Sequence, residues 1–287
     1  MMQIIDVHHH LWTYSDAEYG WIDDSMAALK RDFAVGDLIR DCAGFGVAGS
    51  VAVQARQTVQ ETEALLATAH ADPFILGVVG WLPLSDPNVE VLLACYSADP
   101  LFRGVRHVVQ DEPDPAFLER KPFNAGISLL HTYGFSYDIL VFEHQLPAAI
   151  PFVDRHPDTN FILDHIAKPR IRDRELEPWA SNLRALAKRP NVWCKLSGLV
   201  TEADLRHWTT DDLRPYVETV LEAFSPSRVM FGSDWPVCLL ASPYGRWIET
   251  VKELLSGLSD HERNRIFSGT AVEAYRLDIG RTPGGER

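Results

Sequence analysis

Two histidines on a short apolar segment are the first residues whose spacing suggests chemistry. His8 and His10 lie in the segment DVHHH, which starts at Asp6 and directly follows two isoleucines. Alternate side chains of a strand share a face, so His8 and His10 are expected to point together. Asp6 is then expected deeper on the same face, and His9 on the opposite face, toward the helices. Two imidazoles so placed can bind one metal ion, and the apolar start argues against the alternative of a histidine tag.

Two later motifs could complete such a site. The sequence DHIAKP ends the sixth apolar run and contains His165, and FGSDWP ends the eighth and contains Asp234. Three imidazoles and one carboxylate suit Zn2+ with a coordination position left for water. Taken alone, His165 would more often be structural, and Asp234 would form an Asx turn or a helix cap. Together the motifs predict a metal site of His8, His10, His165 and Asp234, in which Asp234 and His165 are also catalytic.

These motifs sit among eight short apolar runs that alternate with segments long enough for helices. Runs that are apolar at consecutive positions are typical of parallel strands covered on both faces. In a chain of 287 residues, this alternation predicts a single-domain α/β fold, a (β/α)8 TIM barrel over residues 1–279. The predicted strands are Ile4–His8, Ser50–Gln54, Ile75–Trp81, Gly104–Val109, Tyr137–Phe142, Phe161–Asp164, Val192–Leu196 and Arg228–Phe231.

Several connecting segments carry their own signals. The first βα connection, residues 11–33, is long for a compact domain and rich in aromatic side chains, which predicts a functional loop such as a lid. A helix is expected to begin at Pro147, a capping box at Ser259 predicts another, and Gly269 is expected to interrupt the last helical stretch. Residues 280–287, rich in Gly, Pro and charge, are predicted to form a flexible tail.

The charge balance limits the classes of partner. The chain has 40 acidic and 27 basic side chains, a formal net charge of -13, which would repel nucleic acid and anionic membrane surfaces. Its apolar runs are too short to span a bilayer, and its start lacks the features of a signal peptide. We therefore expect a cytoplasmic protein with no nucleic acid or membrane partner, and a homo-oligomer is possible.

Taken together, the motifs resemble a known family. The first-strand His-x-His, the sixth-strand DHxxKP and the eighth-strand GSDWP are similar to those of the amidohydrolase superfamily, in its amidohydrolase-2 branch. Three longer segments, residues 104–112, 192–203 and 232–240, resemble the L-fuconolactonase group of sugar lactonases in that branch. The resemblance implies a hydrolase that opens a sugar lactone, an ester bond, with Asp234 as general base for the attacking water.

The chain departs from the two-metal members of that superfamily. Those members carry a carboxylated lysine on strand four and a histidine on strand five. This sequence has Arg106 and His107 on the fourth run, and Tyr137 and Asp138 on the fifth. The resemblance therefore implies one divalent ion, Zn2+ by its donor set, or hydrolysis that does not depend on metal, as in some lactonases of the branch.

Five residues are candidates for substrate contact. Arg106 and Lys168 lie near strand ends, where they could bind the carbonyl or sugar hydroxyls or form structural ion pairs. Gln54 and Arg56 are expected to share a face of the second strand, and the lactonase-like context favours substrate contact for them. Trp21 could form an apolar wall against a sugar ring, with core packing of the loop as the alternative.

The sequence is also compatible with two other functions. A zinc-dependent decarboxylase of the same branch would have similar metal ligands, and a pair of arginines for a substrate carboxylate would support it. A barrel that binds a sugar acid without catalysis is the second rival, and the intact set of three histidines and one aspartate argues against it.

Overall fold

Eight parallel strands form the centre of the protein, for which a computed structural model describes residues 3–281. The strands pair in sequence order, each with the next, and helices surround them. The predicted (β/α)8 barrel is confirmed, with strand ends within three residues of those expected. The strands are β1 Ile4–His9, β2 Val47–Val53, β3 Ile75–Gly80, β4 Phe102–Val108, β5 Ser136–Leu140, β6 Phe161–Leu163, β7 Val192–Leu196 and β8 Val229–Phe231.

Helices of varied length connect and close the strands. Pro147 lies in the first turn of its helix, and Ser259 accepts a hydrogen bond from the Glu262 amide in the predicted capping box. The prediction for Gly269 is wrong, because this residue has helical dihedral angles and the chain continues as helix. The α-helices are α1 Val35–Asp41, α2 Val59–Ala71, α3 Val89–Tyr96, α4 Lys121–Leu130, α5 Leu146–Asp154, α6 Trp179–Ala187, α7 Leu199–Glu202, α8 Thr210–Phe224, α9 Tyr244–Leu254, α10 Asp260–Asn264 and α11 Thr270–Tyr275, with a π-helical turn, Arg265–Gly269, between the last two.

A register shift in β1 changes which of its side chains face the barrel interior. Asp6 pairs with Ser50 and His9 with Ala52, so three steps along β1 match two along β2. The extra residue reverses the alternation. Asp6 therefore faces outward, where it accepts a hydrogen bond from the Tyr244 hydroxyl at 3.0 Å, and the prediction that it shares a face with His8 and His10 is wrong. His9 faces outward as predicted and contacts the Ser50 hydroxyl at 3.0 Å.

The last helix closes the amino-terminal end of the barrel. Ala271, Ala274 and Tyr275 pack in one apolar cluster with Ile5 and Val7 of β1. The Tyr275 hydroxyl reaches into the interior and donates a hydrogen bond to Asp138 Oδ2 at 2.7 Å. The carboxyl end of the barrel, with the βα loops, is thus the end left for a site.

The long first loop and the end of the described chain each contain a short 3-10 segment. Residues 11–33 contain a 3-10 helix, Asp24–Leu29, and an isolated bridge from Trp12 to Phe33 closes the base of the loop. A 3-10 turn occupies Ile279–Arg281, and the rest of the predicted tail, 282–287, lies outside the described residues. In the described part of the chain, no helix combines the length and apolarity needed to cross a membrane.

Replacing Tyr275 with phenylalanine tests the closure of the barrel. Tyr275→Phe removes the donor to a fully buried carboxylate, so we expect the free energy of unfolding to fall by about 2 kcal/mol. Tyr133→Phe is the matched control, because that hydroxyl bonds Glu90 at the surface, and its effect should stay below about 0.5 kcal/mol. Urea unfolding followed by circular dichroism measures both, and equal effects would contradict the structural role of Tyr275.

Candidate functional site

The four residues predicted to form the site meet at the carboxyl end of the barrel. Asp234 Oδ1 lies 3.8 Å from His8 Nε2, 3.5 Å from His10 Nε2 and 3.8 Å from His165 Nε2. All four side chains are buried. One carboxylate oxygen therefore faces three convergent imidazole nitrogens.

Hydrogen bonds across the seam between β1 and β8 place Asp234 beside the first-strand histidines. The Asp234 amide donates to the His8 carbonyl at 2.8 Å, and the His10 amide donates to the Trp235 carbonyl at 2.7 Å. The outward carboxylate of Asp6 accepts from the Ser233 amide at 2.8 Å and so ties the two chain segments together. Asp234 itself has a φ of 58°, a left-handed conformation that aspartate tolerates better than most residues.

A left-handed turn after β6 presents His165. The four residues from His165 to Lys168 have φ values of 51°, 50°, 62° and 47°, and the Lys168 amide donates to the His165 carbonyl at 2.8 Å. Trp179 Nε1 donates to the Ile166 carbonyl at 2.7 Å and holds the turn. A run of non-glycine residues in this region is strained, and strain of this kind concentrates at functional sites.

The second ring nitrogen of each histidine is also engaged. His10 Nδ1 donates to the Val53 carbonyl at 2.8 Å, which leaves its Nε2 lone pair directed into the site. His165 Nδ1 contacts the Ser197 hydroxyl at 2.9 Å. Burial lowers the pKa of His165 to about 4, so its imidazole is neutral near pH 7. Burial and the nearby Lys195 ammonium likewise hold the pKa of His8 well below its usual range.

Beneath these histidines lies a buried cluster of charges that the sequence reasoning missed. Lys195 Nζ lies 2.6 Å from Asp138 Oδ2, 2.9 Å from Asp164 Oδ1 and 3.1 Å from His8 Nδ1. Arg106 pairs with the other oxygen of Asp164 at 3.0 Å. Two cations thus balance two carboxylates in the interior. The available signal was a lysine inside an otherwise apolar strand, whose partners come from strands far apart in sequence.

The donor set fits a metal ion. Two overlapping groups have ligand atoms close enough to share one: His8, His10 and Asp234, and His8, Asp164 and His165. Asp164 is already held by Lys195 and Arg106, so a second cation beside it would meet two positive charges. The group of His8, His10 and Asp234 is free of this conflict.

The site opens into a cavity of about 1050 Å3. His10, His165 and Asp234 line it together with four of the predicted substrate-binding residues, Trp21, Arg56, Arg106 and Lys168. Trp21 is 39% exposed, whereas its neighbour Tyr19 is 2% exposed and packs in the core with Trp12. Of the loop aromatics, Trp21 is therefore the one placed to meet a ligand.

Gln54 and Arg56 occupy different environments. The second strand ends at Val53, so the two residues do not share a strand face, and that expectation is wrong. Gln54 is fully buried and does not line the cavity. Its side-chain Nε2 donates to the main-chain carbonyl of Arg106 at 3.3 Å, and its main-chain carbonyl accepts a hydrogen bond from the Arg106 guanidinium. Arg56 pairs with Glu18 of the first loop at 2.5 Å and lies over the ring of Tyr19.

Known proteins resemble this chain over nearly its whole length. A family model described as amidohydrolase matches residues 5–277. The L-fucono-1,5-lactonase of Burkholderia multivorans is 41% identical over 290 residues, covering 95% of this chain and 96% of that protein. The L-fucono-1,5-lactonase of Burkholderia ambifaria is 36% identical over 278 residues, covering 96% of each. A crystal structure of a Burkholderia multivorans amidohydrolase with bound zinc is 40% identical, has a TM-score of 0.91 and covers 96% of this chain and all of that one.

The glycine opposite His165 offers a test of the site's packing. Gly198 has a φ of 71°, and a Cβ there would lie 2.6 Å from His165 Nδ1. Gly198→Ala should therefore destabilise the protein by about 3 kcal/mol or more, since a clash with a buried ring adds to backbone strain. Gly44→Ala is the control, because Gly44 has a φ of 85° but open space around the new Cβ. It should lower the free energy of unfolding by about 1 kcal/mol, the cost of backbone strain alone. Equal losses in urea unfolding would show that His165 is not held by this contact.

Proposed function

The chain belongs to the amidohydrolase family, and on that basis we propose that it is a lactonase that opens a sugar lactone to the sugar acid. The substrate proposed is an aldonolactone of the L-fucono-1,5-lactone kind. The observation that carries the proposal is a single buried carboxylate, Asp234, facing three imidazoles at the floor of a cavity large enough for a sugar. The lactonases at 41% and 36% identity support the choice of substrate class.

Asp234 is the general base. Burial alone opposes its ionisation, but His165, His10 and Lys168 outweigh burial and hold the pKa of Asp234 below its usual value. The carboxylate is therefore ionised near pH 7 and takes a proton from water as the water oxygen attacks the lactone carbonyl carbon. Negative charge then grows on the carbonyl oxygen, and we assign its stabilisation to the Arg106 guanidinium and the His165 imidazole.

One Zn2+ is the proposed cofactor. His8, His10, His165 and Asp234 would hold it, and when bound it would polarise the lactone carbonyl and lower the pKa of a coordinated water. The buried cations beside Asp164 favour one ion over two. If hydrolysis proceeds without metal, His8 and His165 serve as hydrogen-bond donors to the oxyanion through Nε2, whereas His10, whose proton is on Nδ1, accepts at Nε2.

The charges on the cavity wall favour a lactonase over a decarboxylase. An aromatic or enoic acid would need free arginines for its carboxylate. The charge of each arginine on the described cavity wall is balanced by an acid, Arg56 by Glu18 and Arg106 by Asp164, so each can donate hydrogen bonds but neither is an uncompensated cation. Lys168 is the one lysine of the described wall. A neutral sugar lactone needs no such pair. The intact Asp234 and its imidazoles likewise favour an enzyme over a barrel that only binds a sugar acid.

The remaining roles follow from placement. Trp21 packs against the apolar face of the sugar, and Arg56, Lys168 and Arg106 bind its oxygens. Gln54 acts indirectly, because its hydrogen bonds hold Arg106. A cytoplasmic location and a homo-oligomer stay predictions, as does the absence of nucleic acid and membrane partners.

Removing the proposed base tests the mechanism. Asp234→Asn keeps the shape of the side chain but cannot accept the proton, so kcat/KM on L-fucono-1,5-lactone should fall by about 100-fold or more. Asp211→Asn, an exposed surface aspartate, is the control and should match wild type. Proton release in a weakly buffered indicator assay measures both. Wild-type kcat/KM in Asp234→Asn would refute the role of Asp234, and carbon dioxide release by the wild type would favour the decarboxylase.

Metal titration tests the cofactor separately from activity. Chelator-treated protein should bind one Zn2+ per chain by calorimetry, and Zn2+ at 100 times its Kd should stabilise the fold by about 2.7 kcal/mol. His10→Ala removes one ligand and should weaken binding at least about tenfold, whereas His70→Ala, an exposed histidine, should leave it unchanged. Two ions per chain, or undiminished binding by His10→Ala, would contradict the proposed site.

A further inference from the structure

Three acids besides Asp234 line the described wall of its cavity: Glu18, Asp111 and Glu202. Glu202, the last residue of α7, shares this cavity with Asp234, His165 and Lys168, and it is half-buried. Its carboxyl forms no hydrogen bond and no ion pair with any other residue between 3 and 281. Glu18 is by contrast paired with Arg56, and Asp111 is exposed to solvent. Among these three acids, Glu202 is therefore the half-buried carboxyl that is not held by an ion pair.

The backbone around Glu202 fixes its position relative to His165. Its carbonyl accepts a hydrogen bond from the Arg172 amide at 2.9 Å, which joins α7 to the segment that follows the His165 turn. At the other end of α7, Gly198 is the N-cap and lies against the His165 ring. The helix and the turn form one unit, and both contribute side chains to the cavity.

Opening of a lactone takes two proton transfers, one from the attacking water and one to the ring oxygen. When the tetrahedral intermediate collapses, the bond between the carbonyl carbon and the ring oxygen breaks, and the electron pair goes to the ring oxygen. A sugar alkoxide is a poor leaving group unless it is protonated as it departs. A second acid at the ring oxygen would complete the reaction.

We propose that Glu202 is this proton donor, an inference that rests on the lactonase function proposed above. Water adds to the carbonyl carbon and gives a proton to Asp234. The ring bond then breaks as the Glu202 carboxylic acid gives its proton to the ring oxygen, which becomes a hydroxyl. The product forms as the sugar acid, whose carboxyl proton then passes to solvent; the Asp234 proton also passes to solvent, and Glu202 regains a proton from solvent. The sum is one lactone and one water converted to one sugar-acid carboxylate and one released proton.

The surroundings of Glu202 favour the protonated form that this role requires. Burial raises the pKa of Glu202, and the charges of Asp234 and Glu143 raise it further, against an opposing effect of the Lys168 ammonium. A bound lactone displaces water from the cavity and strengthens the effect of burial. The kcat of the wild type should therefore fall at high pH, as Glu202 loses its proton.

A pair of substrates that differ in leaving group separates this role from others. The ring oxygen of L-fucono-1,5-lactone needs a proton, whereas the sulfur of the matching thiolactone leaves readily as a thiolate. Glu202→Gln should lower kcat on the oxygen lactone by about 100-fold and affect the thiolactone within about threefold, with little change in KM. It should also abolish the high-pH decline of kcat, and Glu202→Asp should recover part of the rate.

Three controls make the result decisive. Glu249→Gln alters a surface carboxyl that pairs with Lys252 and does not line the cavity, and its rates should match wild type. Equal losses on both substrates, or a raised KM with kcat unchanged, would overturn the proposal and leave Glu202 as a structural or sugar-binding residue. A leaving-group-dependent loss in Lys168→Met but not in Glu202→Gln would assign the proton to Lys168 and also overturn it. Inactivity of the wild type on every lactone would instead refute the proposed function itself.

Discussion

The seam between β1 and β8 is the constraint on which the site depends. The first and last strands of the barrel meet through a few hydrogen bonds made by the functional residues' own backbone, those of His8, His10, Asp234 and Trp235. Closing the barrel and assembling the site are therefore the same event. Asp6 reinforces the seam from outside, because its carboxylate holds the Ser233 amide.

Charged side chains are buried in the interior beneath the site. Their burial costs free energy, which the protein offsets by forming ion pairs between them. Lys195, Asp138, Asp164 and Arg106 are all buried, and an isolated charge in that environment would be strongly unfavourable. Here each cation contacts a carboxylate, and the cluster touches His8 directly. The Tyr275 hydroxyl extends the network to the helix that closes the far end of the barrel. The orientation of the His8 imidazole thus depends on packing across the full height of the barrel.

The cavity above the site is shaped by loops and suits a neutral, polar ligand. The ion pair between Arg56 and Glu18 links the first loop to the loop after β2 and uses a cation that could otherwise bind an acidic substrate.

The sequence by itself determined the barrel, because consecutive apolar positions and helix-length spacing are local properties of the chain. It also identified His8, His10, His165 and Asp234, since their motifs lie at strand ends that a closed barrel must bring together. Only the tertiary structure decided three other features. Asp6 faces outward, Lys195 pairs with Asp138 and Asp164, and Gln54 and Arg56 lie in separate environments. A one-residue register shift reverses a strand's faces, and a buried ion pair joins strands far apart in sequence. Neither leaves a periodic signal in the chain, because both arise from the way the strands pack against one another.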